Sequence, residues 1–289
     1  MVGAGKCGKL NSKIEYAHFL YQSNSVNNYK MLKPILLFVL TSLLMCDKVD
    51  EPQNFKGLPE NASEKVKKWA VVFDFDRYAC YPSAAISPDG RKNEGLAPKG
   101  LRTGNCREIV QLENANTFCR TQSITRDNVT YEVIMYALYF EKDQYMPWSP
   151  FELKGSHRHD WEYASVWLQD GRLTHATYSA HSRDGESLPT STLHFDSGME
   201  NHVKVVYHQD GVSTHCMRFA KENEKAQNEL GKWITPKLVE WDLMSKEQQS
   251  LMSGSWGKAH PPFIDKNFYR EIEKYVPPGY PLRAEWEAK

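Results

Sequence analysis

The sequence lacks any imbalance of charge: Lys+Arg and Asp+Glu stand at 36 each. It therefore gives no global reason to expect nucleic acid or an acidic surface as partner. It has no apolar run of the about 20 residues that a helix needs to span a bilayer. No C-x-x-C occurs, which argues against a structural zinc knuckle. A G-x-S-x-G elbow, a phosphate-cradling glycine loop and H-E-x-x-H are also missing, so none of these chemistries has a motif to stand on. Internal repeats and low-complexity linkers are missing too. Hydrophobic and aromatic residues are not scarce, at 40% and 12%, so the chain can build a core and is not expected to be disordered.

The first 46 residues differ from the rest. Met1 to Lys30 is polar without clear period, and Lys30 and Lys33 flank the start of the stretch MLKPILLFVLTSLLMC. Its apolar part, Ile35 to Cys46, is too short to span a membrane but fits the basic and apolar regions of a secretory signal. The expectation is a signal over residues 31–46, cleaved between Thr41 and Val49. Signals begin at the true start, so translation is expected at Met31, with residues 1–30 an extension of the gene model or a disordered leader. Residues 47–289 are expected to fold as a single domain. In that domain Cys80, Cys106, Cys119 and Cys216 remain. An oxidising compartment would favour two disulfides, and three pairings are open. Asn61 and Asn128 lie in N-x-S/T triplets and are glycosylation acceptors if the chain is secreted.

Strand patterns dominate the expected domain. Lys65 to Cys80 carries an apolar block and then alternation. Pro82 to Cys106 is rich in Gly, Pro and Asp and reads as loop. TYEVIMYALYF, Thr130 to Phe140, is apolar on both alternating faces, as in a central strand buried on both sides. His159 to Gly171 is a second strand, and His202 to Ala220 reads as a hairpin around Gln209-Asp210-Gly211. Short helices are predicted at Ser245 to Met252, opened by a Ser245/Gln248 capping box, and at Asn267 to Tyr275, stopped by Pro277 and Pro278. The predicted fold class is mainly β, a central β-sandwich flanked by short α-helices.

The densest chemistry lies in SHRHDWE, Ser156 to Glu162. Alternation puts Asp160 and Glu162 on one face, with Arg158 beside them if the strand extends back, and His157 and His159 on the other. Antiparallel pairing with the preceding strand would bring Asp143 to the same edge. Converging carboxylates need something to offset their repulsion. A hard divalent cation with oxygen ligands would do so. So would a paired general acid and base, or zinc held through His157 and His159. The plainest alternative has Arg158 neutralising an acid and His159 and Trp161 simply packed. His175, His181, His208 and His215 read singly as ordinary strand or loop histidines.

SHRHDWE closely resembles the GHRHDWE heptapeptide of the necrosis- and ethylene-inducing-peptide-like proteins (NLPs) of oomycetes, fungi and bacteria. IMYALYFEKD, Ile134 to Asp143, is similar to the segment preceding it in that family. Leu238 to Phe268 resembles the family's C-terminal block, and Cys80 to Cys106 its early disulfide loop. The likeness runs over about Lys65 to Tyr275. It implies a sandwich like that of actinoporins and fungal lectins, and a secreted cytolysin rather than an enzyme. It also implies binding to glycosyl inositol phosphoryl ceramide sphingolipid head groups of plant plasma membranes, followed by permeabilisation. By residue, it implies that Asp143, His157, Asp160 and Glu162 hold a divalent cation, Ca²⁺ or Mg²⁺, and that Cys80 pairs with Cys106. His157 and His181 are carried as sugar contacts. A non-lytic glycan-binding protein recognised as an immune pattern is the alternative. The protein is expected to be monomeric in solution, with no nucleic-acid partner.

The departures from the family pattern are Ser156 for its glycine, Glu141 for its proline, and a longer connector between Asp143 and His157. That connector brings Trp148 and Phe151, which could contact a membrane or obstruct the cation cavity. A Cys119–Cys216 bridge is the second pairing expected by elimination.

Overall fold

The apolar residues of 130–140 build the longest strand among the described residues, and from Glu132 onward both of its faces are buried. The computed structural model describes residues 50–181, 185–281 and 283–287, so the expected signal at 31–46 and the segment before it lie outside the described residues. The strands are β1 (Val72–Phe75), β2 (Gly100–Leu101), β3 (Asn116–Arg126), β4 (Val129–Asp143), β5 (Trp148–Ser149), β6 (His157–Gln169), β7 (Arg172–Tyr178), β8 (Ser187–Pro189), β9 (Phe195–Asp196), β10 (Met199–Gln209), β11 (His215–Phe219) and β12 (Lys237–Glu240). The helices are α1 (Glu64–Lys68), α2 (Ile109–Asn114), α3 (Lys246–Met252), α4 (Phe268–Glu273) and α5 (Arg283–Glu287).

The larger sheet runs β12-β3-β4-β6-β7-β8, and the smaller runs β1-β10-β11 with β9 beside β10. β3, β4, β6, β7 and β8 pair antiparallel in succession, and the two-residue Asp127-Asn128 turn closes the β3–β4 hairpin. Both turn residues have positive φ, 53° and 63°, as a primed hairpin turn requires. Alternation along β4 then feeds two separate cores. Ile134, Tyr136, Leu138 and Phe140 face the smaller sheet and pack with Phe73, Val205 and Tyr207. Val133, Met135, Ala137 and Tyr139 face the other way, into a layer containing Trp256, Phe263, Phe268, Ile272 and Trp286. A sandwich with a helical layer on one outer face follows from these two patterns.

The predicted α3 and α4 are present, and Ser245 and Gln248 form the reciprocal cap at the start of α3. The strand expected from Lys65 is shorter, because Ser63 caps a helical turn at Glu64–Lys68 and only Val72–Phe75 pairs with β10. Cys80 and Cys106 are bridged, with Cα atoms 5.0 Å apart. The Cys119–Cys216 pairing is incorrect. Both thiols are free and buried, Cys119 on β3 of the larger sheet and Cys216 on β11 of the smaller.

Candidate functional site

The site forms where β4 ends and β6 begins. Asp143 pairs with His157, Lys142 with Arg158 and Phe140 with Asp160, so antiparallel pairing does bring the expected ends together. Strict alternation does not hold there. His159 has φ 60°, a left-handed conformation that costs a non-glycine residue about 1–3 kcal/mol. This kink sends the neighbouring side chains in new directions. His157, Asp160 and Glu162 line one cavity of about 430 Å³ together with Asp143. Arg158 leaves the acids: it donates to Gly95 O at 2.7 Å and pairs with Asp50 at 2.6 Å. His159 Nδ1 lies 2.7 Å from the Tyr139 hydroxyl, and its ring meets Trp256 edge-on. Gly95 lets the loop pass this ring, since a Cβ there would lie 2.7 Å from His159 Nδ1.

Asp143 is 2% exposed and lies 2.7 Å from His215 Nδ1, with the His215 backbone N–H donating to both carboxylate oxygens at 3.2 Å. Asp160 accepts from the Tyr207 hydroxyl at 2.9 Å. Burial, then the charge of Asp143, raises the Asp160 carboxyl to about 6. Glu162 accepts from the Ser179 hydroxyl. Burial, then Asp160, pushes it well above the usual carboxylate range. His157 Nδ1 is 2.7 Å from the carbonyl of His159. A carbonyl only accepts, so Nδ1 carries a proton, and in the neutral ring Nε2, 3.8 Å from Asp143, presents the lone pair. Burial opposes charge on His157, but Asp160 and Asp143 outweigh it and the ring is raised.

One ligand atom from each of Asp143, His157 and Asp160 lies within 4.8 Å of the others. Glu162 is outside that group, further along the same wall. Two carboxylates and an imidazole whose tautomer is fixed by a backbone carbonyl fit a hard divalent cation that keeps part of its water. Of the lysines on the cavity wall, Lys274 is held by Glu271 at 2.6 Å, and Lys258 acts on His157 by charge alone. His181 lines the wall and lies 3.2 Å from Asp210. Trp148 and Phe151 do not line it. They are 58% and 61% exposed, on a connector that folds against the 82–106 loop through the β2–β5 pair and the Arg102 N–H to Pro147 O bond. The connector therefore leaves the cavity open. Sequence reasoning missed Tyr207, His215 and Ser179 as parts of the site. Tyr207 and His215 come from the other sheet, and no local signal connects them to the heptapeptide.

The raised carboxyl of Asp160 has a consequence for stability. Its folded value exceeds the ordinary 3.8, so its contribution is fully present below pH 3.8 and is lost as pH rises through about 6. His159, lowered to about 4 by burial and then by Lys92, works in the opposite direction below its ordinary 6.5. The cation-free protein with Asp160→Asn isolates the first effect. Between pH 7.5 and 5.5 the unsubstituted chain should gain about 1 kcal/mol relative to that variant. Paired denaturant titrations at the two pH values measure it, and a parallel response of both proteins would refute it.

A family model described as necrosis inducing protein (NPP1) matches residues 63–275. Among similar proteins, the NLP effector protein Pc107869 of Phytophthora capsici is 30% identical over 229 residues, 76% of this chain and 58% of the relative. NLP effector protein 7 of the same organism is 29% identical over 79% of this chain and 66% of its own length. The chain thus spans less than two thirds of these two relatives. NLP effector protein 2 of Plasmopara viticola is 28% identical over 76% of this chain and 90% of its own length. Among solved structures, one described as a toxin fold as basis for microbial attack and plant defense has a TM-score of 0.61 at 23% identity, over 79% of this chain and 99% of the other. The non-toxic HaNLP3 protein also gives 0.61, at 24% identity over 79% of this chain and all of its own. NLPPya in complex with glucosamine gives 0.58 at 23% identity over 80% of this chain and 97% of its own. At these identities the structures establish a shared fold.

Proposed function

The chain belongs to the necrosis-inducing protein family, and on that premise we propose that it is a secreted cytolytic effector. Its target is the glycosylated sphingolipid head group of plant plasma membranes, engaged through a divalent cation, and the consequence of binding is permeabilisation. The observation that carries this reading is the convergence of Asp143, His157 and Asp160 within 4.8 Å, with Arg158 drawn away to Asp50. A bound calcium or magnesium ion supplies charge and open coordination positions that sugar hydroxyls or a phosphate can fill.

The chain's own residues do the positioning. Tyr207 and His215 orient the Asp160 and Asp143 carboxylates by hydrogen bonds from the second sheet. The His159 carbonyl holds the His157 ring in its ligand tautomer. Glu162 and His181 line the wall a sugar would meet. Beyond the cavity, Leu101, Met146, Trp148 and Phe151 expose apolar surface, and tryptophan favours the boundary between water and lipid. The Cys80–Cys106 bridge agrees with an oxidising, extracellular location. Binding and docking need no bond-breaking step, so the protein is read as a non-enzyme.

Leakage from vesicles containing a glycosyl inositol phosphoryl ceramide tests the reading. Dye release is expected with Ca²⁺ or Mg²⁺ and is expected to stop with chelator. Release that ignores the chelator, or is equal from vesicles without the glycolipid, would overturn it. A fold-sharing protein described as non-toxic keeps one second reading: a glycan-binding protein without lytic activity, which would bind these vesicles and leave them intact.

A further inference from the structure

A second cluster of donor atoms sits at the tip of the β10–β11 hairpin. The tip is held by backbone bonds from Ser213 N to Asp210 O at 2.8 Å and from Asp210 N to Thr214 O at 3.2 Å. His181, after β7, lies with its Nε2 3.2 Å from Asp210 Oδ2. The Cys216 thiol completes a group in which ligand atoms of His181, Asp210 and Cys216 all lie within 4.8 Å of one another. Cys216 is 3% exposed and unbridged. His208 faces it across the strand pair, with Nε2 3.7 Å from Sγ. His208 Nδ1 lies 2.9 Å from Gln209 O. That carbonyl can only accept, so Nδ1 carries the proton and a lone pair faces the thiol.

We propose that His181, Asp210 and Cys216 form a second metal site, for a divalent ion of the zinc class, with His208 as the base that takes the thiol proton. An ion pair would account for His181 and Asp210 alone. It would not account for a buried free thiol beside them with a neutral imidazole nitrogen aimed at it. The donor set separates this site from the first: one nitrogen, one oxygen and one sulfur suit zinc, whereas calcium and magnesium take oxygen. The spacing agrees. A tetrahedral ion with bonds of about 2.0 Å to nitrogen or oxygen would hold those two donors about 3.3 Å apart, and His181 and Asp210 stand at 3.2 Å. On binding, the Sγ–H bond breaks and an Sγ–metal bond forms. The proton passes to His208 Nε2 and then to solvent. Burial, followed by nearby acids led by Glu162, keeps the free thiol protonated, so without an ion it is a poor nucleophile. The Asp210 side chain is 57% exposed, which gives an ion its entry path and leaves a coordination position for water.

The full chain is stripped with chelator, supplied with excess Ca²⁺, and titrated with Zn²⁺ or with Co²⁺ as a coloured substitute. One equivalent should bind, and Co²⁺ should show thiolate-to-metal absorption. Cys216→Ser should remove the thiolate band, and Asp210→Ala should weaken Zn²⁺ binding by at least about tenfold. Asp160→Asn should leave it unchanged. Asp210 is at the surface, so its variant tests the site even if Cys216→Ser fails to fold. Zn²⁺ binding that is indifferent to Asp210→Ala, a Co²⁺ complex without a thiolate band, or displacement by Ca²⁺ would overturn the proposal.

Discussion

Asp160→Asn should reduce cation-dependent leakage of glycolipid vesicles by at least about tenfold, the lower end of what disturbing a metal's surroundings costs in affinity or activity. The substitution keeps size and shape. An asparagine oxygen can still accept from the Tyr207 hydroxyl, so the stacked Phe140–Tyr207 pair, with ring centroids 3.8 Å apart, keeps its support. Only the charge is lost. In the cation-free protein that charge is costly, since the buried carboxyl sits beside Asp143 and is raised to about 6. The variant should therefore fold as well as the parent or better at neutral pH while losing activity. Partial recovery of leakage at much higher Ca²⁺ would support a role in cation affinity. A variant that leaks vesicles as fast as the parent at limiting Ca²⁺ would remove Asp160 from the site.

The second large effect concerns the Cys80–Cys106 bridge. It closes a loop with a sequence separation of 26, and loop-closure entropy puts its contribution at about 3.5 kcal/mol. For a domain of this size the expected fall in melting temperature on Cys106→Ser is about 10 °C. The loop also carries Gly95 and Glu94, whose carbonyls hold Arg158, and β2, which holds β5 of the connector. Opening it should weaken leakage as well as stability. Calorimetry and dye release on the variant measure both, and a melting temperature within about 2 °C of the parent would contradict the entropic account.

Much of this architecture was legible. The doubly apolar run at 130–140 announced a strand buried on both faces, and Ser245 with Gln248 announced a helix start, because these signals are local. Asp143 and Asp160 could be brought together from antiparallel pairing alone. The distribution of side chains around them could not. Parity grouped Arg158 with Asp160 and Glu162, and separated His157 from them. The left-handed turn at His159 reverses that arrangement, and nothing in the letters of the heptapeptide marks a positive φ. The Cys119–Cys216 pairing failed for a related reason: a count of cysteines carries no distances, and a bridge needs Cα atoms within about 7 Å. Tyr207 and His215 are 47 and 72 residues from the carboxylates they touch, so only the stacking of two sheets reveals them.

β4 contributes alternate side chains to both cores, and this ties the stability of the two layers together. From Glu132 onward its residues are buried on both faces, so its amide protons there have no solvent-facing side from which to be reached. Deuterium should enter 133–140 only through opening of the whole domain. Because the same strand ends at Asp143, the cavity floor inherits that resistance, and the donor atoms there stay in position through motions that loosen the outer loops.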